Sequence, residues 1–165
     1  MILYIKRAFS WTDRFTVKDE QEQDRYYVQG EAFSFGRNLH VYDAQNNEVA
    51  FVRQKSRSFS YCFDVEIGGR HAFRVAREAA FLRQSYSIKG TPWHVDADFS
   101  AKEYTMQGPQ GPVMQLLKEP FTLEASYALH ITNPADELHC LCIMLAICAI
   151  QANESDAAAA TITYL

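Results

Sequence analysis

At 165 residues the chain fits one domain, and a hydrophobic share of 48% with 13% aromatics rules out a disordered polypeptide. The formal net charge of −4 offers no basic footprint, which argues against a nucleic-acid partner. The opening MILYIKRAFSW has neither the apolar run nor the small-residue cleavage site of a secretory leader, so the chain reads as soluble and cytoplasmic.

Short runs rich in β-branched and aromatic residues recur along the chain, each bounded by turn residues. They predict strands at Leu3–Ile5, Arg14–Lys18, Arg25–Ala32, Asn38–Asp43, Glu48–Lys55, Tyr61–Ile67, Arg70–Arg77, Ser85–Lys89, Trp93–Asp98, Glu103–Gln107, Val113–Glu119 and Ser126–Ile131, about twelve in all. The links are hairpin-like: DEQEQD at Asp19–Asp24, AQNN at Ala44–Asn47, a bare Gly68–Gly69 and GPQGP at Gly108–Pro112. Connections this short force successive strands to run antiparallel. Within Glu48–Lys55, Ala50, Val52 and Gln54 share one face, and Val49, Phe51 and Arg53 share the other. Within Tyr61–Ile67, Tyr61, Phe63, Val65 and Ile67 oppose Cys62, Asp64 and Glu66, so this strand has one wet face.

Four segments repeat a pattern: an apolar residue, a basic residue, a loop, then an aromatic opening the next strand. The pairs are Lys6 and Phe15, Arg53 and Tyr61, Arg77 and Tyr86, and Lys118 and Tyr127, at spacings of nine, eight, nine and nine. The repeat fits a barrel of duplicated strand–loop–strand units.

The last element is a helix. Asn133 caps it, Pro134 suits its first position, and Asp136 and Glu137 sit at the positive end of its dipole. LHCLCIMLAICAI, residues 138–150, follows without a charge and without a polar stripe. A helix apolar all round is buried in protein or in lipid. This run falls short of the roughly 20 residues that span a bilayer, so the strands must enclose it. The domain is thus read as residues 1–151, with the central helix at 134–151. The alanine run after Gln151 can extend the helix or stay loose; residues 152–165 are expected to form a mobile or weakly docked tail, with Thr161–Leu165 available as an edge strand.

Of the four cysteines, Cys140 and Cys142 diverge by about 200° on a helix and cannot clasp one ion, and Cys62 and Cys148 add no CxxC spacing. His40, His71, His94, His130 and His139 are scattered singly, and His94 beside Trp93 and near Asp96 fits strand packing. No metal site or cofactor is expected. GxSxG, HExxH, GxxxxGK[ST] and GxGxxG are all absent. Asp64 with Glu66, and Asp96 with Asp98, offer carboxylate pairs, which read as solvated strand faces before acid–base pairs. No catalytic residue is assigned, and the chain is expected not to be an enzyme.

The stretches LYIKRAFSWTDRFTVKDE, DRYYVQGEAFSFGRNLHVYDAQNNEVAFVRQK, GTPWHVDADF and NPADELHCLCIMLAICAI resemble the LURP-one-related family over about residues 2–150. That family is similar to the tubby C-terminal domain and the phospholipid scramblases. The resemblance implies a mainly β fold, a twelve-stranded antiparallel tubby-like barrel around a central hydrophobic C-terminal helix. It also implies contact with anionic phospholipid through basic side chains two apart on a strand. Here Arg53, Lys55 and Arg57 have that spacing, and Arg74, Arg77 and Arg83 lie close enough in hairpin order to extend the comb. Edge-protecting charge explains the same residues without a ligand. Trp11, Phe33, Phe35 and Phe59 lie in or near loops, as core lids or as membrane-interface residues. No acidic calcium loop supports scramblase activity. The expected role is a non-catalytic binding or scaffold domain that docks reversibly on anionic lipid or phosphate as a peripheral membrane protein. A protein–protein interaction module without a small ligand is the alternative.

Overall fold

A computed structural model of the chain describes residues 1–6, 14–31, 36–55, 61–78, 84–97, 103–119 and 126–163. Twelve strands precede the helix: β1 Ile2–Lys6, β2 Arg14–Lys18, β3 Asp24–Gly30, β4 Asn38–Asp43, β5 Glu48–Gln54, β6 Cys62–Ile67, β7 Arg70–Glu78, β8 Gln84–Lys89, β9 His94–Ala97, β10 Glu103–Gly108, β11 Gly111–Glu119 and β12 Ser126–Ile131. Each pairs antiparallel with its neighbours in sequence, and β1 pairs with β12, so the sheet closes into a barrel with no free edge. Closure sets Leu3 opposite Leu129 and Ile5 opposite Tyr127. Gly68 and Gly69 both have positive φ, 58° and 74°, which a two-residue hairpin of this twist demands.

Alternation drives the architecture. Val52, Phe63, Val65, Phe73, Val75 and Leu116 point inward from strands whose intervening residues face outward. The lumen is filled by the helix α1, Glu137–Thr163, which a short 3₁₀ turn at Pro134–Asp136 introduces. Every residue of Cys140–Ile150 is buried, as the missing polar stripe requires. Burial also pushes the Cys140 and Cys148 thiols up to about 12, and both are inert small hydrophobes here. Asn133 caps the turn, its side chain accepting from the Ala135 amide.

Two readings change. By length and composition, Pro134–Glu154 is long and apolar enough to cross a membrane, so the argument from shortness fails; 67% of its apolar stretch is instead buried in the protein. The helix also runs past Gln151 to Thr163. No Gly or Pro follows Gln151, and Ala157–Ala160 favour helix, so nothing local stops it there or supports an edge strand.

The antiparallel order sorts the connections between two ends. The tight turns after β2, β4, β6, β8 and β10 lie where α1 begins, and strands β1, β3, β5, β7, β9 and β11 end where it emerges. Each of the four repeats runs from the end of an odd-numbered strand to the start of the next, consistent with strand–loop–strand units.

Candidate functional site

With its lumen occupied by α1, the barrel presents its outer wall and its two ends. On β5, Ala50, Val52 and Gln54 are buried and Arg53 is exposed, so Lys55 follows on the outside. The register aligns Arg53 with Asp64 of β6, Asp64 with Arg74 of β7, and Arg74 with Lys89 of β8. One outward row therefore reads Arg53, Asp64, Arg74, Lys89. Lys55 lies one step along, where its amide donates to the Cys62 carbonyl at 3.0 Å.

The carboxylates of this wall are engaged. Arg74 makes a two-pronged contact with Asp64, at 2.6 and 3.2 Å, and His71 approaches the same carboxylate at 3.5 Å. Partial burial works to raise the Asp64 pKa, but the Arg74 hydrogen bond and charge outweigh it and hold the group below the usual carboxylate range. Arg53 pairs with Glu66 at 2.8 Å. Asp64 and Glu66 are therefore partners of arginines, not a free acid–base pair. Lys55 and Lys89 are exposed, and no ion pair engages either among the described residues. Cys62 lies half-buried on the same wall; burial pushes its thiol up, Arg74 and the two lysines draw it down, and the Asp64 charge works with burial.

The comb read from sequence thus divides. Arg53, Lys55 and Arg74 share the outer wall. Arg77 does not: three positions from Arg74, it falls on the opposite face, pairs with Glu154 of α1 and lies 5.8 Å from the Tyr61 ring. Arg57 and Arg83 lie outside the described residues, as do Trp11, Phe33, Phe35, Phe59 and Asp98. His94 reaches Asp96 only at 3.6 Å, with both side chains exposed. Among the described residues no group of three His, Cys, Asp or Glu side chains is placed to hold a metal ion.

Sequence reasoning passed over three features. His40 stacks on Phe51 with ring centroids 4.4 Å apart, and its two nitrogens meet Glu48 at 3.0 Å and Glu31 at 2.9 Å. A shallow cleft of about 320 Å³ lies between Glu48, Phe51, Glu66 and Gly69. A larger one, about 400 Å³, opens beside Trp93 at the end where α1 begins. The GPQGP and GTPWH segments were visible, but only the barrel brings them against Asp136.

A family model described as LURP-one-related matches residues 1–149. The chain belongs to this family. It is 27% identical over 155 residues to the uncharacterised Bacillus subtilis protein YxjI, spanning 93% of this chain and 96% of that one. Among solved structures, an Arabidopsis thaliana protein superposes with a TM-score of 0.58 at 12% identity, over 87% of this chain and 89% of the other. At that identity the plant protein speaks for the fold of this LURP-one-related chain and for nothing further.

Proposed function

We propose that this LURP-one-related domain is a non-catalytic binding module of the cytoplasm that docks reversibly on anionic phospholipid through the outer wall of β5–β8. The observation that carries the reading is the outward row in which the register sets Lys89 beside Arg74 and Lys55 follows Arg53 next to Cys62, with both lysines free of carboxylate partners among the described residues. Asp64 and Glu66 hold Arg74 and Arg53 in place, and the lysines remain free to meet phosphate. A helix-filled barrel supports the non-catalytic part, because function then falls to the surface. The resemblance to tubby-like domains agrees with this assignment.

Vesicle sedimentation tests it. Binding is expected to require an anionic lipid in phosphatidylcholine vesicles and to weaken with salt. Each lysine near such a surface is worth about 1 kcal/mol, so Lys55→Glu with Lys89→Glu should weaken binding by about tenfold or more. Competition by millimolar inorganic phosphate would mark a phosphate site in place of a lipid surface. Vesicle binding indifferent to reversal at Arg53, Lys55 and Lys89 would end the proposal. A protein-interaction module is the second reading, favoured by Tyr61, a large hydrophobic residue left 43% exposed beside Arg77 at the end where α1 emerges.

A further inference from the structure

The cleft beside Trp93 lies at the opposite end of the barrel from the emerging helix, and its reading does not rest on the lipid-docking wall. Three segments converge to form it: Pro92 and Trp93 after β8, the Gly108–Val113 hairpin where β10 turns into β11, and Thr132, Asn133 and Asp136 between β12 and α1. Its volume of about 400 Å³ suits a small ligand.

The walls are fixed. A Cβ on Gly108 would lie 2.9 Å from Val113 Cγ2 and 3.0 Å from Trp93 Cδ1, so the indole rests directly on the glycine backbone. His139 meets the same indole edge-on, with centroids 6.3 Å apart. Thr132 donates its hydroxyl to the Pro112 carbonyl at 2.8 Å, and its amide donates to the Val113 carbonyl at 3.0 Å.

The charge selects the ligand. Asp136 is the one formally charged residue lining the cleft, and no ion pair engages it among the described residues. An anion would need open amides at the start of the helix, but these are taken. The Ala135 amide donates to the Asn133 side chain, the Asp136 amide to the Asn133 carbonyl, and the Glu137 amide to the Pro134 carbonyl. A calcium or magnesium ion would need several oxygen ligands converging; beside Asp136 the lining offers the side chains of Gln110, Thr132 and Asn133, and the last two are already engaged with the Pro112 carbonyl and the Ala135 amide. A carboxylate beside a tryptophan with apolar walls suits a cation that carries its own apolar surface.

We infer that this cleft binds a small organic ammonium compound, its charged head held between the Asp136 carboxylate and the Trp93 indole.

The test is an NMR titration of the ¹⁵N-labelled full chain with choline chloride, at ionic strength held constant by sodium chloride. The neutral isostere 3,3-dimethyl-1-butanol serves as the control. Choline is expected to shift the Trp93 indole resonance and the Gln110 amide saturably, in the millimolar range, with the isostere leaving both in place. The indole signals are assigned by Trp93→Phe. Asp136→Asn should weaken choline binding at least about fivefold, and Asp136→Glu should restore it in part. Phosphocholine separates a free amine from a lipid headgroup: the first source requires choline to bind more tightly, the second requires phosphocholine to match it. No saturable shift with choline, equal shifts with the isostere, or unaltered affinity in Asp136→Asn would each overturn the inference. Should Asp136→Asn fail to fold, the choline and isostere arms on the unmodified chain still decide it.

Discussion

The two ends of α1 are held by different chemistry around the same apolar middle. Where the helix begins, one arginine does most of the work: Arg25 grips Glu137 at 2.7 and 3.1 Å, and the Glu137 side chain is 10% exposed. Burial, followed by the Glu137 charge, pushes the neighbouring Tyr26 hydroxyl up to about 12. Where the helix emerges, the contacts are spread. Arg77 pairs with Glu154, Arg37 with Asn153 and Asp156, Gln54 with Asn153, and Tyr104 with Gln151. Gln54 and Glu137 are the two buried polar residues among those described, one at each end. The lesson concerns register. An apolar cylinder gains from burial at almost any depth or rotation, because the hydrophobic effect has no direction. The directional contacts at its two ends choose one depth and one rotation.

The comparison can be broken from the middle outward. Leu141→Ala removes a fully buried side chain from the cylinder and should cost about 2–5 kcal/mol, read from urea unfolding. Arg25→Met should cost less, about 1–3 kcal/mol, because Arg25 is 45% exposed while the carboxylate that it leaves behind is buried. Glu154→Gln should cost less again, about 1 kcal/mol, since neighbouring polar contacts share that end. A Glu154→Gln penalty exceeding that of Arg25→Met would reverse the assignment of concentrated and distributed anchoring.

Much of this frame was legible in the sequence, and the limits have physical causes. The period-two alternation of β5 and β6 and the Gly68–Gly69 turn marked the strands locally. The helix showed itself by lacking a polar stripe, which is a property of its own residues. Its far end did not, because an alanine run continues a helix without announcing what it docks against. The exit contacts needed tertiary information: Arg77 meets Glu154 only once the barrel closes around α1. Its placement with Arg74 confused neighbours in hairpin order with neighbours on one face, although a spacing of three already puts them on opposite sides of a strand. The pairing of Arg53 with Glu66 depends on strand register, which turn chemistry and alternation bound without fixing. The ammonium cleft was least legible, being assembled from three segments distant in sequence.

The smallest effect expected is one that ties the two ends through the wall. His40 lies within β4, yet its ring reaches Glu31 beyond β3, on the side where α1 emerges, and Glu48 at the start of β5, on the side where α1 begins. Burial works to lower the His40 pKa, but the hydrogen bonds that its ring donates to both glutamates outweigh it, and the net direction is upward from 6.5. With a carboxylate at each nitrogen, both nitrogens donate only in the imidazolium form. A group whose folded pKa is raised stabilises the fold fully below its unfolded pKa, and that contribution disappears as pH climbs through the folded pKa. Urea midpoints should therefore fall as pH rises above 6.5 through the folded His40 titration, which NMR of the imidazole ring locates directly. His40→Gln keeps a polar side chain but cannot titrate, so it should flatten that part of the profile while leaving Leu141→Ala and Arg25→Met as costly as before. The same slope in His40→Gln would assign the pH dependence to another group and leave His40 a tie of fixed charge.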